Sequence, residues 1–306
     1  MSTHSRRPGN PPPSVVRRRQ AVTRPQPLDE EEYIEQAHLY ELLRLRTAEQ
    51  MPIQELLEQL RHEVLATTKL PMAMEYLLTE VKHSGLLAPA MQRMGHYFTD
   101  FQTYLIRQSE EDTGRFLMGT ALQIMEAEVK FRIQGATPAG MFLFQFEVLC
   151  RNRLSYDKGL TAISNDPIFD DDWSKWILGM RAQIGLVELS DLLFLVSDEY
   201  KRRLLEAGES IENKGPFLFG EKEGRIAFAN RRKDPLFLFG ALQRHLGYPK
   251  VPRIIKTDPN VDLVPQLARR LERLEARIGL MEEERRAGLD ITKFYEQNKH
   301  RLKLPE

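Results

Sequence analysis

Residues 139–150 read AGMFLFQFEVLC, and whether this run is a helix or a strand decides the fold. Apolar side chains fall on nearly every side of it, so periodicity fits both a central helix and a buried strand. Thr137 and Pro138 precede it as a helix start, and the chain continues through Arg151 to Asn165 without the punctuation that separates strands. The balance favours helix, which makes the fold mainly α.

Upstream, the same devices recur. Asp29, Glu30, Glu31 and Glu32 stand where a helix N-terminus favours negative charge, ahead of apolar residues from Tyr33 onward. Pro52 opens a helix carrying Ile53, Leu56, Leu57, Leu60 and Val64 on one face, and Pro71 opens a second with Met74, Leu77, Leu78 and Val81, closed by Ser84 and Gly85. Together they predict an αα-hairpin. Leu87, Met91, Met94, Phe98, Phe101 and Leu105 alternate in steps of four and three, which predicts one long helix whose Met and Phe stripe reads as bundle core. Ser109 and Asp112 then resemble a start leading into Met118, Leu122, Met125, Val129 and Ile133.

Downstream, Asp170, Asp171 and Asp172 precede Trp173, Trp176 and Ile177, and capping accounts for them better than metal chelation. The pattern then shifts. Leu192 to Val196 reads as a buried strand, and Ser197 as the cap of a short helix. Phe217–Phe219 and Arg225–Phe228 read as a β-hairpin around the turn GEKEG, residues 220–224. Asp234 and Pro235 start a further helix that ends near Gly247. The expected architecture is a multi-helix bundle over 29–185, with a small α/β element of hairpin plus strand over 186–257. A linker and a coiled-coil-like C-terminal helix occupy 258–286, and a polar tail 287–306.

In that last helix Val264, Leu271 and Ile278 occupy a positions, and Leu267, Leu274 and Met281 occupy d positions, of a heptad. A parallel partner in register would bring Arg270 to Glu275 and Arg277 to Glu282, both attractive. The seam covers fewer than three heptads, and Gly279 weakens it by about 1 kcal/mol relative to alanine. It fits docking on its own chain, a homodimer, or another protein partner.

Composition bounds the function classes. The chain has 306 residues, 42% of them hydrophobic, enough for a sizeable core. Its one cysteine, Cys150, allows no internal disulfide and reads as a buried structural thiol in a reducing, cytoplasmic setting. No signal peptide or membrane span is expected. Net charge is zero but segregated: residues 1–28 carry +6 with six prolines and read as a disordered arm, 29–224 carry −13, and 225–256 carry +7. The basic parts either contact an external polyanion or lie against the chain's own acidic surface. Arg17, Arg18, Arg19, Arg231, Arg232 and Lys233 are the candidate polyanion contacts. Flanking aromatics such as Phe228 and Tyr248 would suit nucleic acid, although no nucleic-acid-binding signature is present.

Chemistry is sparse. Glu35 with His38, and Glu80 with His83, have the Glu-x-x-His spacing of di-metal carboxylate bundles, for which Glu126 or Glu128 and Glu147 could supply the further carboxylates. No phosphate loop, dinucleotide fingerprint or nucleophile elbow accompanies them, so no cofactor or catalytic residue is expected. The sequence reads as a non-enzymatic interaction or scaffolding protein, with nucleic-acid association and a di-metal enzyme as rivals.

Overall fold

The computed structural model describes residues 26–252 apart from 50, 112–115 and 213, together with 268, 271, 272, 274–279 and 282 of the C-terminal segment. Residues 139–150 are helical: α7 runs Pro138–Arg151, and Thr137 caps it by accepting a hydrogen bond from the Gly140 amide at 3.2 Å. Met141, Phe142, Leu143 and Phe144 on this helix are each fully buried, because helices pack around every side of it.

Twelve further helices are described between Glu30 and Leu246. Those before α7 are α1 Glu30–Ala48, α2 Ile53–Leu60, α3 Leu70–Ser84, α4 Ala88–Arg93, α5 Asp100–Glu110 and α6 Met118–Ile133. After it come α8 Tyr156–Ser164, α9 Asp171–Met180, α10 Leu189–Leu195, α11 Asp198–Glu206, α12 Glu221–Ala229 and α13 Pro235–Leu246. The expected αα-hairpin is α2 and α3, joined on the inner side by two buried glutamates of α1. Glu35 accepts the Leu65 amide at 2.9 Å and Glu32 the Lys69 amide at 2.7 Å, so two of the connection's donors are satisfied by α1. Gly85 closes α3 in the left-handed region, φ 68°, as a C-cap glycine should.

Four expectations are corrected. The Met and Phe stripe is not one helix. The Thr99 hydroxyl accepts the Gln102 amide while the Gln102 side chain accepts the Thr99 amide, both at 3.2 Å, and this capping box starts α5 afresh after α4 ends. Met91, Phe98, Phe101 and Leu105 are buried all the same, so the spacing survived the break. The start read at Ser109 lies inside α5, and α6 begins only at Met118. The strand expected at Leu192–Val196 is mostly α10, whose leucines and phenylalanine serve a short buried helix as well as a strand.

The fourth correction removes the hairpin. Arg225–Phe228 lies within α12, with Gly220 as its N-cap and Glu221 and Glu223 in the favourable first turn. Gly224 marks close packing instead of a turn: a Cβ there would lie 2.2 Å from the Ser197 hydroxyl and 2.7 Å from the Glu199 Cβ of α11. Residues 217–219 are extended but have no partner strand. Leu218 and Phe219 donate their amides to the Val196 carbonyl at 2.8 and 3.1 Å, and the Phe219 ring enters the aromatic core 5.1 Å from Trp173 and 5.5 Å from Trp176. Among the described residues the only β pairing is two isolated bridges, so the segment expected to be α/β is helical through α10–α13. It joins the preceding helices where α13 packs on α7, with Phe239 6.2 Å from Phe146 and the Tyr248 hydroxyl on Glu147 at 2.8 Å.

Candidate functional site

The C-terminal residues that are described are helical, and three of the heptad positions can be located among them. Leu271, Leu274 and Ile278 are 59%, 52% and 54% exposed, an apolar row at a/d spacing that the described residues leave uncovered. Val264, Leu267 and Met281, and with them half of the predicted seam, lie outside the described residues, as do Arg17, Arg18 and Arg19.

Two cations of the basic stretch, Arg225 and Arg231, are paired with the chain's own acids. Arg231 pairs with Asp191 at 2.6 Å while its guanidinium lies 4.5 Å from the ring centres of both Phe194 and Phe228. Arg203 covers Phe228 at 4.0 Å, so two cations occupy this aromatic pair. Arg225 joins Arg202 and Arg203 around Glu199, whose carboxylate is almost completely covered, and His245 meets Glu223 at 3.1 Å. Burial by itself would lift the Glu199 carboxyl, but hydrogen bonds from the three arginines outweigh it and hold the group at about 2. Arg232 adopts a left-handed backbone, φ 58°, with its amide donated to Glu188 at 2.9 Å. Neither its side chain nor that of Lys233 pairs with a described acid, so of the predicted polyanion contacts in this stretch these two are the ones left to face outward.

The Glu-x-x-His residues do not converge. His38 and His83 are exposed, Glu35 faces the α2–α3 connection, and Glu80 pairs with Arg93 at 2.7 Å. Glu126 belongs to a surface pair with Arg44 at 3.0 Å. Among the described residues no three His, Cys, Asp or Glu side chains are grouped to hold a metal ion. The carboxylates nominated beside them serve two buried networks that sequence spacing did not reveal. In the first, Arg132 joins Glu128 at 2.7 Å to Asp166, and the Gln145 amide donates to both carboxylates at 2.9 and 2.8 Å. Burial raises the Glu128 carboxyl against the pull of Arg132, and the Asp166 charge adds to the rise. In the second, Glu147 is held by Arg151 one helical turn on and accepts the Tyr248 hydroxyl.

Beside this second network a pocket of about 350 Å³ opens between α7, the start of α8, the 184–187 connection, α10 and the N-terminus of α13. Its wall is mostly apolar and includes Phe146, Leu192 and Phe239, with Cys150 and Arg151 on the α7 side. Tyr156 directs its hydroxyl at the Cys150 thiol, yet burial dominates and pushes the thiol up to about 11. Cys150 is therefore a neutral, partly buried wall group near neutral pH.

Among the described residues no helix is long and apolar enough to cross a membrane. No known protein family, curated protein or solved structure matched the chain.

Proposed function

We propose that this is a non-enzymatic scaffolding protein that self-associates through its C-terminal helix. The observation that carries the reading is the row Leu271, Leu274 and Ile278, each more than half exposed on helical backbone. Single exposed leucines are ordinary on a surface, but a row at heptad spacing gains by closing on a like seam. A second copy is the partner that the charges favour. In a parallel pair Arg277 of one chain faces Glu282 of the other, and Arg270 faces Glu275, whereas an antiparallel pair would set like charges together. The helical body then serves as the unit that is brought together in two copies.

Light scattering on the full chain and on a version ending at Thr257 tests this. The full chain is expected at twice its 35.6 kDa mass and the shortened chain at its monomer mass. A full chain that stays monomeric at micromolar concentration removes the proposal.

A further inference from the structure

We propose that the pocket between α7, α10 and α13 binds an amphiphilic monocarboxylate, its alkyl chain along the apolar wall and its carboxylate on Arg151. The volume of about 350 Å³ equals roughly a dozen water molecules at about 30 Å³ each, and a mostly apolar wall holds water poorly. The wall offers few groups to orient a polar ligand. Its polar groups are the neutral Cys150 thiol, the Tyr156 hydroxyl, Arg151 and the Asp234 carboxylate, one oxygen of which accepts the Leu236 amide at 2.8 Å as the cap of α13. A sugar or nucleotide carries more hydroxyls and ring nitrogens than these few groups can pair, whereas an alkyl chain needs no partners.

The mouth extends the apolar surface. Leu236 is 49% and Val187 40% exposed, and both line the pocket. A chain lying out of the pocket would cover these side chains. The charge comes from Arg151. Its Nε is committed to Glu147, and the other Glu147 oxygen accepts the Tyr248 hydroxyl, so Glu147 is served by two donors. Among the described residues the Arg151 guanidinium donates one hydrogen bond, from Nε to Glu147, so its terminal nitrogens form a fork suited to a carboxylate on a residue that lines the pocket.

Cys150, the sole cysteine, supplies the readout from within the wall. Full-length protein is treated with N-ethylmaleimide in the presence of decanoate or decanol, both below micelle-forming concentration, and alkylation is followed by intact mass. Decanoate is expected to slow alkylation at least tenfold at saturation and to half-protect at about tenfold lower concentration than decanol, the worth of one charge-assisted hydrogen-bonded pair. Arg151→Gln should abolish the difference between the two ligands, and Arg151→Lys should keep part of it. Leu236→Asp, at an exposed rim position, should weaken both. Absence of protection by decanoate on the unaltered protein overturns the site, and equal protection by decanol overturns the carboxylate assignment. Neither outcome depends on whether the chain dimerises.

Discussion

Gly224 sits where α12 packs closely against the start of α11. A methyl group there meets Ser197 Oγ at 2.2 Å and Glu199 Cβ at 2.7 Å, and both belong to the capped start of α11, which cannot yield without losing the Ser197 bond to the Tyr200 amide at 3.3 Å. Gly224→Ala is expected to destabilise the protein by about 1–3 kcal/mol, the usual range for overpacking, although alanine is the better helix former; urea denaturation measures it. Glu199, beside it, gives a pH signature. Its folded pKa of about 2 lies below the roughly 4.3 of an unfolded glutamate, so its contribution is fully present above that unfolded value and is lost as pH falls toward 2. Glu199→Gln should therefore lower stability at pH 7, and the gap from the unaltered chain should narrow steadily between about pH 4.5 and 2. A gap independent of pH in that window would mean that the arginines do not hold the carboxylate.

At the scale of elements, what was legible in the sequence was local chemistry. Helix starts announce themselves through short side chains that bond nearby amides. Thr137 takes the Gly140 amide, Asp170 takes those of Asp172 and Trp173 at 3.0 and 2.9 Å, and Asp234 takes that of Leu236. Each was readable because cap and helix lie within three residues. What was not legible depended on distant partners. The α4–α5 break hides inside an unbroken apolar spacing because Met91, Phe98 and Phe101 reach the same core from two helices as they would from one. Gly220 and Gly224 bracket a charged tripeptide just as a turn would, and only the approach of α11 tells a packing glycine from a turn glycine. Glu128 and Asp166 meet across 38 positions, and the pocket is assembled from stretches as far apart as Phe146 and Phe239, so no local pattern marks either. The break itself can be tested. Thr99→Ala removes the hydroxyl half of the capping box and should cost about 1 kcal/mol in thermal or urea unfolding, whereas a position inside one continuous helix would lose nothing when a threonine becomes alanine.

At the scale of the whole molecule, charge segregated along the chain is folded back on itself around α10–α13, where Arg225 and Arg231 meet Glu199, Glu221 and Asp191. Intramolecular pairing of this kind uses cations that a polyanion would otherwise recruit, while Leu271, Leu274 and Ile278 stay exposed among the described residues. In the proposed pairing of two copies, specificity lies in the charges flanking the seam. Arg277→Glu sets a carboxylate against Glu282 of the second copy, and Glu282→Arg sets a guanidinium against that copy's Arg277, so each variant alone converts two symmetric attractions into two repulsions. At a few tenths to about 1 kcal/mol for each exposed pair, each variant should weaken self-association by about tenfold or more. An equimolar mixture of the two variants restores both attractions in the mixed pair, and should associate about as tightly as the unaltered chain. Sedimentation equilibrium on the separate and mixed variants measures this, and the low heptad count works in its favour, since a marginal seam lets small charge effects move the dissociation constant through an accessible range. Variants that self-associate as well alone as mixed would show that the helices do not meet in this register.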